Sequence, residues 1–134
     1  MRHHLRIGAI LLPLLPLLAN ACAPRCENSV LEELPSPSGA KRPVLYTRAC
    51  GATTGPSTNV AVLDRDAGEP QGIGNVLVLK DPLSAGETTR TTRLRWLAPD
   101  SLEVSLVGGR AVQSKAGSVD GVVVTYTSHS DRAP

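Results

Sequence analysis

The chain has 134 residues, of which 41% are hydrophobic and 2% aromatic, and its formal net charge at pH 7 is +2. Arg2 and Arg6 account for that excess, so residues 22–134 hold 12 basic and 12 acidic side chains. A balanced charge gives no electrostatic reason to expect nucleic acid or an acidic membrane surface as a partner.

A short basic head and an apolar run open the chain. Residues 7–18 contain nothing more polar than glycine and proline. The pattern is typical of a secretory signal peptide, because a run of 12 residues with two prolines falls short of the ~20 apolar residues that span a membrane. Ala19 and Ala21 are small residues at the positions that a signal peptidase inspects, which predicts a signal peptide at 1–21 and cleavage before Cys22.

Cys22 would then be the first mature residue, the position at which bacterial lipoproteins carry a diacylglyceryl group. The preceding residues resemble a lipobox with Ala19 and Asn20 in place of its usual branched aliphatic and small residues. The mature chain holds three cysteines, and an odd number in an exported protein requires an explanation for the unpaired one. Lipid on Cys22 would provide it, and Cys26 and Cys50 could then form a disulfide worth about 3 kcal/mol.

Short extended runs separated by turn residues follow, which is typical of an all-β protein. A turn at 35–39, rich in proline and ending in glycine, predicts a hairpin between the first two runs. The first run could equally form a helical turn at 31–34. The predicted strands are 28–34, 42–50, 58–63, 75–80, 91–97, 101–107, 110–114 and 119–127.

Burial and pairing can be predicted for some of these strands. The apolar run within 75–80 predicts a strand buried on both faces at the centre of the sheet. The runs 91–97 and 101–107 are expected to pair antiparallel. Residues 64–74 and 81–89 are predicted as polar loops, and we expect no helix with apolar periodicity.

The fold class that follows is all-β. Seven or eight short strands suit a small antiparallel sheet, a sandwich or a partly open barrel. We predict one domain at 28–127, between an N-terminal tether at 22–27 and a polar tail at 128–134.

Three stretches carry a resemblance to a known family: Cys26-Glu27-Asn28, Pro35-Ser36-Pro37-Ser38-Gly39 and Cys50-Gly51-Ala52-Thr53-Thr54-Gly55. They resemble a family of small uncharacterised bacterial exported proteins and lipoproteins, and a fainter likeness extends through Leu94-Arg95-Trp96-Leu97 to the closing Gly121-Val122-Val123-Val124-Thr125-Tyr126. The resemblance implies an envelope location, a Cys26–Cys50 bridge and no assigned activity.

The residues that could carry chemistry form no catalytic, metal-binding or nucleotide-binding pattern. His129 is the only histidine after the signal and is predicted to be solvated in the tail. Asp64 and Asp66 lack the further ligands of a calcium loop. We therefore predict no catalytic residue, no metal ligand and no cofactor.

Two further groups of residues have a structural and a functional interpretation. Residues 51–55 could offer backbone N–H groups and hydroxyls to an anion, or could simply make a tight turn beside a disulfide. No lysine follows them and no helix opens there, which excludes a phosphate loop. Arg93 and Arg95 alternate with apolar residues and are expected on a solvated strand face.

These expectations describe a non-enzymatic binding or structural module of the cell envelope, either lipid-anchored through Cys22 or free in the periplasm or outside. Its expected partners are an envelope protein, bound through an exposed strand edge, and the membrane through the lipid alone. The alternative is a small periplasmic hydrolase that uses loop carboxylates such as Asp64, Asp66 or Asp100.

Overall fold

Nine strands and one short helix form in residues 25–51, 53–80 and 83–130, which are the residues described in this computed structural model. The predicted signal peptide and Cys22 lie outside the described residues. The elements are β1 Glu27–Glu33, β2 Lys41–Ala49, β3 Ser57–Asp64, β4 Leu77–Leu79, α1 Ala85–Thr91, β5 Thr92–Ala98, β6 Ser101–Val107, β7 Val112–Lys115, β8 Ser118–Val119 and β9 Val122–His129.

The strands form two sheets that pack as an all-β sandwich. Sheet A has the order β1-β2-β3-β4-β7 and is antiparallel throughout, while sheet B has the order β5-β6-β9-β8. β5 and β6 pair antiparallel as predicted, and β6 and β9 pair in parallel. β4 is buried at all three residues, as its apolar run predicts, but β3 and not β4 is the middle strand of sheet A.

The main core lies between the two sheets and is aliphatic. Side chains of alternating residues point inward from each strand, because successive residues of a strand face opposite sides. Trp96 and Tyr126 pack at its margin, where the Trp96 indole donates to the carbonyl of Leu34 at 2.9 Å. The buried members are Leu45, Val60, Val62, Val76, Leu77, Leu79, Leu94, Leu102, Val104, Val122 and Val124.

A second, smaller apolar cluster covers the outer face of sheet A. Val44, Tyr46 and Ala61 are buried there, beneath the connection that follows β3. The Tyr46 hydroxyl donates to the carbonyl of Gly72 in that connection at 3.1 Å, and burial raises the pKa of Tyr46 to about 12. The connection at 65–74 therefore lies over this small cluster on the outer face of sheet A.

A side chain takes the place of a strand where β4 stops short. β4 pairs with β3 at residues 58–60, so the next inward residue, Val62, has no strand beside it on that side. The amide of Asn75 bonds to both backbone groups of Val62: its Oδ1 accepts from the Val62 N–H at 2.9 Å and its Nδ2 donates to the Val62 carbonyl at 3.1 Å. Gly74 precedes it so close to β3 that an added Cβ would overlap the Val60 carbonyl oxygen and lie 2.9 Å from the Val60 nitrogen.

A helix begins within 81–89, the region predicted as a polar loop, and runs to Thr91, where the next strand was predicted to begin. Ser84 caps it: its hydroxyl accepts from the Glu87 N–H at 3.3 Å, and the Glu87 carboxylate accepts from the Ser84 N–H at 3.0 Å. This reciprocal capping box satisfies backbone donors that the first turn leaves open, so a seven-residue helix forms without an apolar stripe. The Ser84 hydroxyl and N–H also hold the pKa of Glu87 below its usual value.

A buried polar cluster ties this helix to both sheets. The hydroxyls of Thr58 in β3 and Thr88 in α1 are 3.4 Å apart, and both side chains are buried. Arg110, which follows β6, donates to Thr91 at 2.6 Å, to Thr92 at 3.3 Å and to Thr58 at 3.4 Å. Hydrogen bonds to the guanidinium thus satisfy hydroxyls that would be costly to bury unpaired.

The end of the chain departs from prediction in two ways. The run 119–127, predicted as one strand, is broken by a tight turn at Asp120 and Gly121, whose φ angles are +47° and +82°. Positive φ at both positions suits a two-residue hairpin turn, so β8 and β9 form a hairpin. β9 then runs to His129, two residues into the predicted tail.

Candidate functional site

A disulfide closes one end of sheet A. Cys26 precedes β1 and Cys50 follows β2, and the two are bonded, as the resemblance to exported proteins implies. The adjacent pair Glu27 and Ala49 continues the link into the β1–β2 ladder. In the part of the chain that is described, no helix has the length and apolarity needed to cross a membrane.

Three of the outer strands carry a β-bulge on the strand itself. The extra residue is Leu31 in β1, Leu97 in β5 and Gln113 in β7, each lying between two pairs whose register shifts by one. Bulges and charged side chains are devices that keep an edge strand from pairing with another chain. These three edges are therefore poor places for strand addition.

The outer side of β9 is different. β8 covers only its first residues, pairing with Val122 and Val123, and Gly117 accepts one further bond from the Val124 N–H at 2.9 Å. Val122 and Val124 thus direct their backbone groups away from β6, and by strand alternation Tyr126 and Ser128 do the same. Among the described strands none pairs with 125–129 on this side.

This open edge of β9, residues 125–129, is regular and contains no aspartate, glutamate, lysine or arginine. Its pairing with β6 continues without a bulge to the pair Val107 and His129. Thr125, Tyr126, Thr127 and Ser128 are neutral, and threonine and tyrosine favour extended structure. The Tyr126 hydroxyl holds β9 against the segments beside β4 and β7, because its single O–H lies between the carbonyl oxygens of Val76 at 2.9 Å and Ala116 at 2.8 Å.

A basic cleft lies at the disulfide end of sheet A. Its volume is about 420 Å³. Arg48 of β2 and Lys80, the residue after β4, are its two cations, and no described lining residue is a carboxylate. The remaining lining residues are Cys50, Thr54, Gly55, Ser57 and Gln113.

The loop carboxylates named in the hydrolase alternative divide between the sheets. Asp64 and Asp66 line an open depression of about 550 Å³ at the end of β3, whereas Asp100 lies in the β5–β6 turn and does not line it. Asp64 accepts from the Lys41 ammonium at 2.6 Å, which raises the pKa of Lys41. An aspartate that is ion-paired in an open depression is typical of a solvated surface salt bridge. It is not typical of a catalytic acid or base.

His129 is held by the fold and not solvated in a tail, which corrects the prediction. Its Nδ1 is 2.8 Å from the Ser105 hydroxyl and its Nε2 is 3.4 Å from the Arg90 carbonyl oxygen. Because a carbonyl only accepts, Nε2 carries the proton in the neutral ring, and Nδ1 accepts from Ser105. No carboxylate of the described residues bonds to this imidazole.

Other predicted positions agree with the structure. Arg93 and Arg95 are exposed on the outer face of sheet B, where Arg95 pairs with Glu103 at 3.0 Å.

Comparison of the chain with known family models, with curated proteins and with solved structures gives no match.

Sequence reasoning missed the residues that complete the cleft. It considered 51–55 as an anion-binding loop and noted that no lysine follows, but strand pairing brings Lys80 to that loop from 25 positions or more along the chain. The bulge in β7 brings Gln113 there as well. No local pattern marks either residue, because both arrive through long-range pairing.

Proposed function

We propose that this chain is an exported, non-enzymatic binding module that accepts an extended segment of an envelope protein as an added strand along β9. The open edge of β9 is the observation that carries the proposal. A strand added there would bond to the backbone groups of Tyr126 and Ser128 and extend sheet B. The bulged edges of β1, β5 and β7 support β9 as the one edge suited to this role among the described strands.

The proposed location is the cell envelope. The arrangement of residues 1–21 supports export, and the Cys26–Cys50 disulfide fits an oxidising compartment. We propose that Cys22 is lipidated, which would leave the other two cysteines as the observed pair. Intact mass of the protein from membranes of its own host tests this: a chain that begins at Cys22 with a diacylglyceryl adduct is expected, and an unmodified Cys22 would contradict the anchor but not the binding edge.

The binding edge is tested with a proline that removes one backbone donor. The Ser128 N–H points away from β6, so Ser128→Pro removes a donor from the open side without removing a bond of the β6–β9 ladder. Ser128→Ala is the matched control, because it removes the hydroxyl and keeps the N–H. Thr127 is exposed on the outer face beside the edge and can carry a photoreactive benzoylphenylalanine.

We expect photocrosslinking in the host to give one discrete protein adduct with the parent chain and with Ser128→Ala, and at least a tenfold smaller yield with Ser128→Pro. A melting temperature for Ser128→Pro within a few degrees of the parent would show that the domain is folded. Equal adducts from the two variants, or no adduct from any, would refute the proposal. An adduct of twice the chain mass would identify a second copy as the partner.

A further inference from the structure

We propose that the basic cleft is a binding site for a small oxyanion, a carboxylate or phosphate group carried by a small ligand. The site is separate from the β9 edge, since none of its described lining residues belongs to β9. Its two cations come from segments that are distant in sequence and meet only in the folded chain. We argue the assignment from how each cation is held, from the neutral donors beside them and from the size of the cleft.

The guanidinium of Arg48 is oriented by a relay of hydrogen bonds. Its Nη1 donates to Asn28 Oδ1 at 2.8 Å, and the Asn28 amide donates in turn to the Pro70 carbonyl at 2.7 Å. This relay uses one of the five N–H bonds of the guanidinium. No other N–H of this guanidinium is bonded to a described residue, and Arg48 lines both this cleft and a neighbouring depression that contains Glu27 and Glu69. The planar fork of an arginine matches the two oxygens of a carboxylate or phosphate.

Lys80 supplies a second positive charge on a fixed backbone. Its N–H donates to the Ala111 carbonyl at 2.9 Å, which anchors the residue where β4 ends and the loop to β7 passes. Its ammonium makes no hydrogen bond or ion pair with the described residues. A cation that makes no ion pair with the described residues is a point at which a mobile anion is electrostatically favoured.

Neutral polar groups line the remaining walls. Ser57 and Thr54 place hydroxyls there, which donate within the loop to the carbonyls of Arg48 and Cys50 at 3.5 and 3.3 Å. An oxyanion can accept these O–H groups in place of the carbonyls, which exchanges a long bond for a shorter charge-assisted one. Gln113 is the bulged residue of β7, and bulges commonly re-aim a side chain beside a binding site.

The volume limits the ligand. A cleft of about 420 Å³ lies at the small end of the range for small-molecule sites, so it fits a charged group with a few further atoms and excludes a folded protein surface. The disulfide forms part of the wall through Cys50, so the bond to Cys26 fixes this part of the lining before a ligand arrives.

Nuclear magnetic resonance of the 15N-labelled oxidised chain tests the site. Inorganic phosphate and acetate are titrated separately at low ionic strength, and we expect one or both to give saturable amide shifts confined to Thr54, Gly55, Ser57 and Gln113. Lys80→Gln should weaken that binding by about tenfold, because a charge-assisted bond is lost. Lys115→Gln makes the same change of charge on β7 outside the cleft, and we expect an effect below about twofold because screening limits distant charges.

The outcomes separate the two ligand classes. Saturation by phosphate alone assigns a phosphate-bearing ligand, and saturation by acetate alone assigns a carboxylate-bearing one. Arg48→Lys keeps the charge and loses the fork, so a further loss of at least fivefold supports direct contact with Arg48. No saturation by either anion, or equal affinities for Lys80→Gln and Lys115→Gln, would overturn the proposal and leave the β9 proposal unaffected.

Discussion

Replacing Asn75 by alanine tests whether one side-chain amide substitutes for a missing length of strand. Asn75→Ala removes both bonds to Val62, the 2.9 Å bond from its N–H and the 3.1 Å bond to its carbonyl. Each such bond contributes about 1 kcal/mol net, so the pair accounts for about 2 kcal/mol of the free energy of unfolding. Because Asn75 is itself exposed, water can reach the truncated site, and the cost stays below that of two sealed, unsatisfied groups.

Urea titration followed by the fluorescence of Trp96, the only tryptophan, measures this loss. A drop of about 2 kcal/mol should lower the melting temperature by roughly 10 °C in a domain of this size. Gln71→Ala is the matched control: it removes an exposed amide that bonds only to the nearby Glu69 carbonyl at 3.2 Å, and we expect a change below about 0.5 kcal/mol.

The separate value of the donor bond is measured with Asn75→Asp. The aspartate keeps an oxygen for the Val62 N–H and presents a second carboxylate oxygen to the Val62 carbonyl, so at pH 7 the loss should equal or exceed that of Asn75→Ala. If Asn75→Ala and Gln71→Ala destabilise the protein equally, the amide does not substitute for a strand and the reasoning is refuted.

Two other predictions concern the disulfide and alkaline pH. Reduction of the disulfide, or replacement of Cys26 and Cys50 by alanine, opens a loop of sequence separation 24. We expect the free energy of unfolding to fall by about 3 kcal/mol, measured by urea titration with and without reductant. A loss below about 1 kcal/mol would contradict this prediction. The pKa of Tyr46 is raised to about 12 from an unfolded value near 10, so the folded state holds this proton longer. The stabilisation is therefore retained below pH ~10 and is lost as the pH rises toward 12. Tyr46→Phe should make the free energy of unfolding less dependent on pH in this range. At pH 7 the same variant should lower the free energy of unfolding by about 1 kcal/mol, because the bond to Gly72 is lost.

Local patterning predicted the strands well. β6 has the predicted bounds, and Val122, Val124 and Tyr126 share the inward face that their alternation indicates. Two elements were missed although their signals are in the sequence. Ser84 and Glu87 have the spacing of a capping box, but α1 has no apolar stripe that would indicate a helix. Asp120-Gly121 is a hairpin signal that divides the final predicted strand into β8 and β9.

Long-range pairing could not be predicted in the same way. Nothing local to β6 or β9 specifies that they pair in parallel, and the open edge of β9 is a direct result of that pairing. The position of Lys80 near Arg48 likewise depends on the order of strands in sheet A. The candidate sites therefore follow from topology, whereas residue types alone indicated only the loop at 51–55.

The position of the disulfide has a mechanical consequence. Any pulling force applied to the chain before Cys26 passes at that residue into two strands at once, because the bond carries part of the load to Cys50 and β2. Without the bond, β1 would be loaded at one end alone and its ladder could open one hydrogen bond at a time from Glu27. With it, force applied before Cys26 reaches both strands, so the β1–β2 ladder is loaded at the disulfide and not at Glu27 alone.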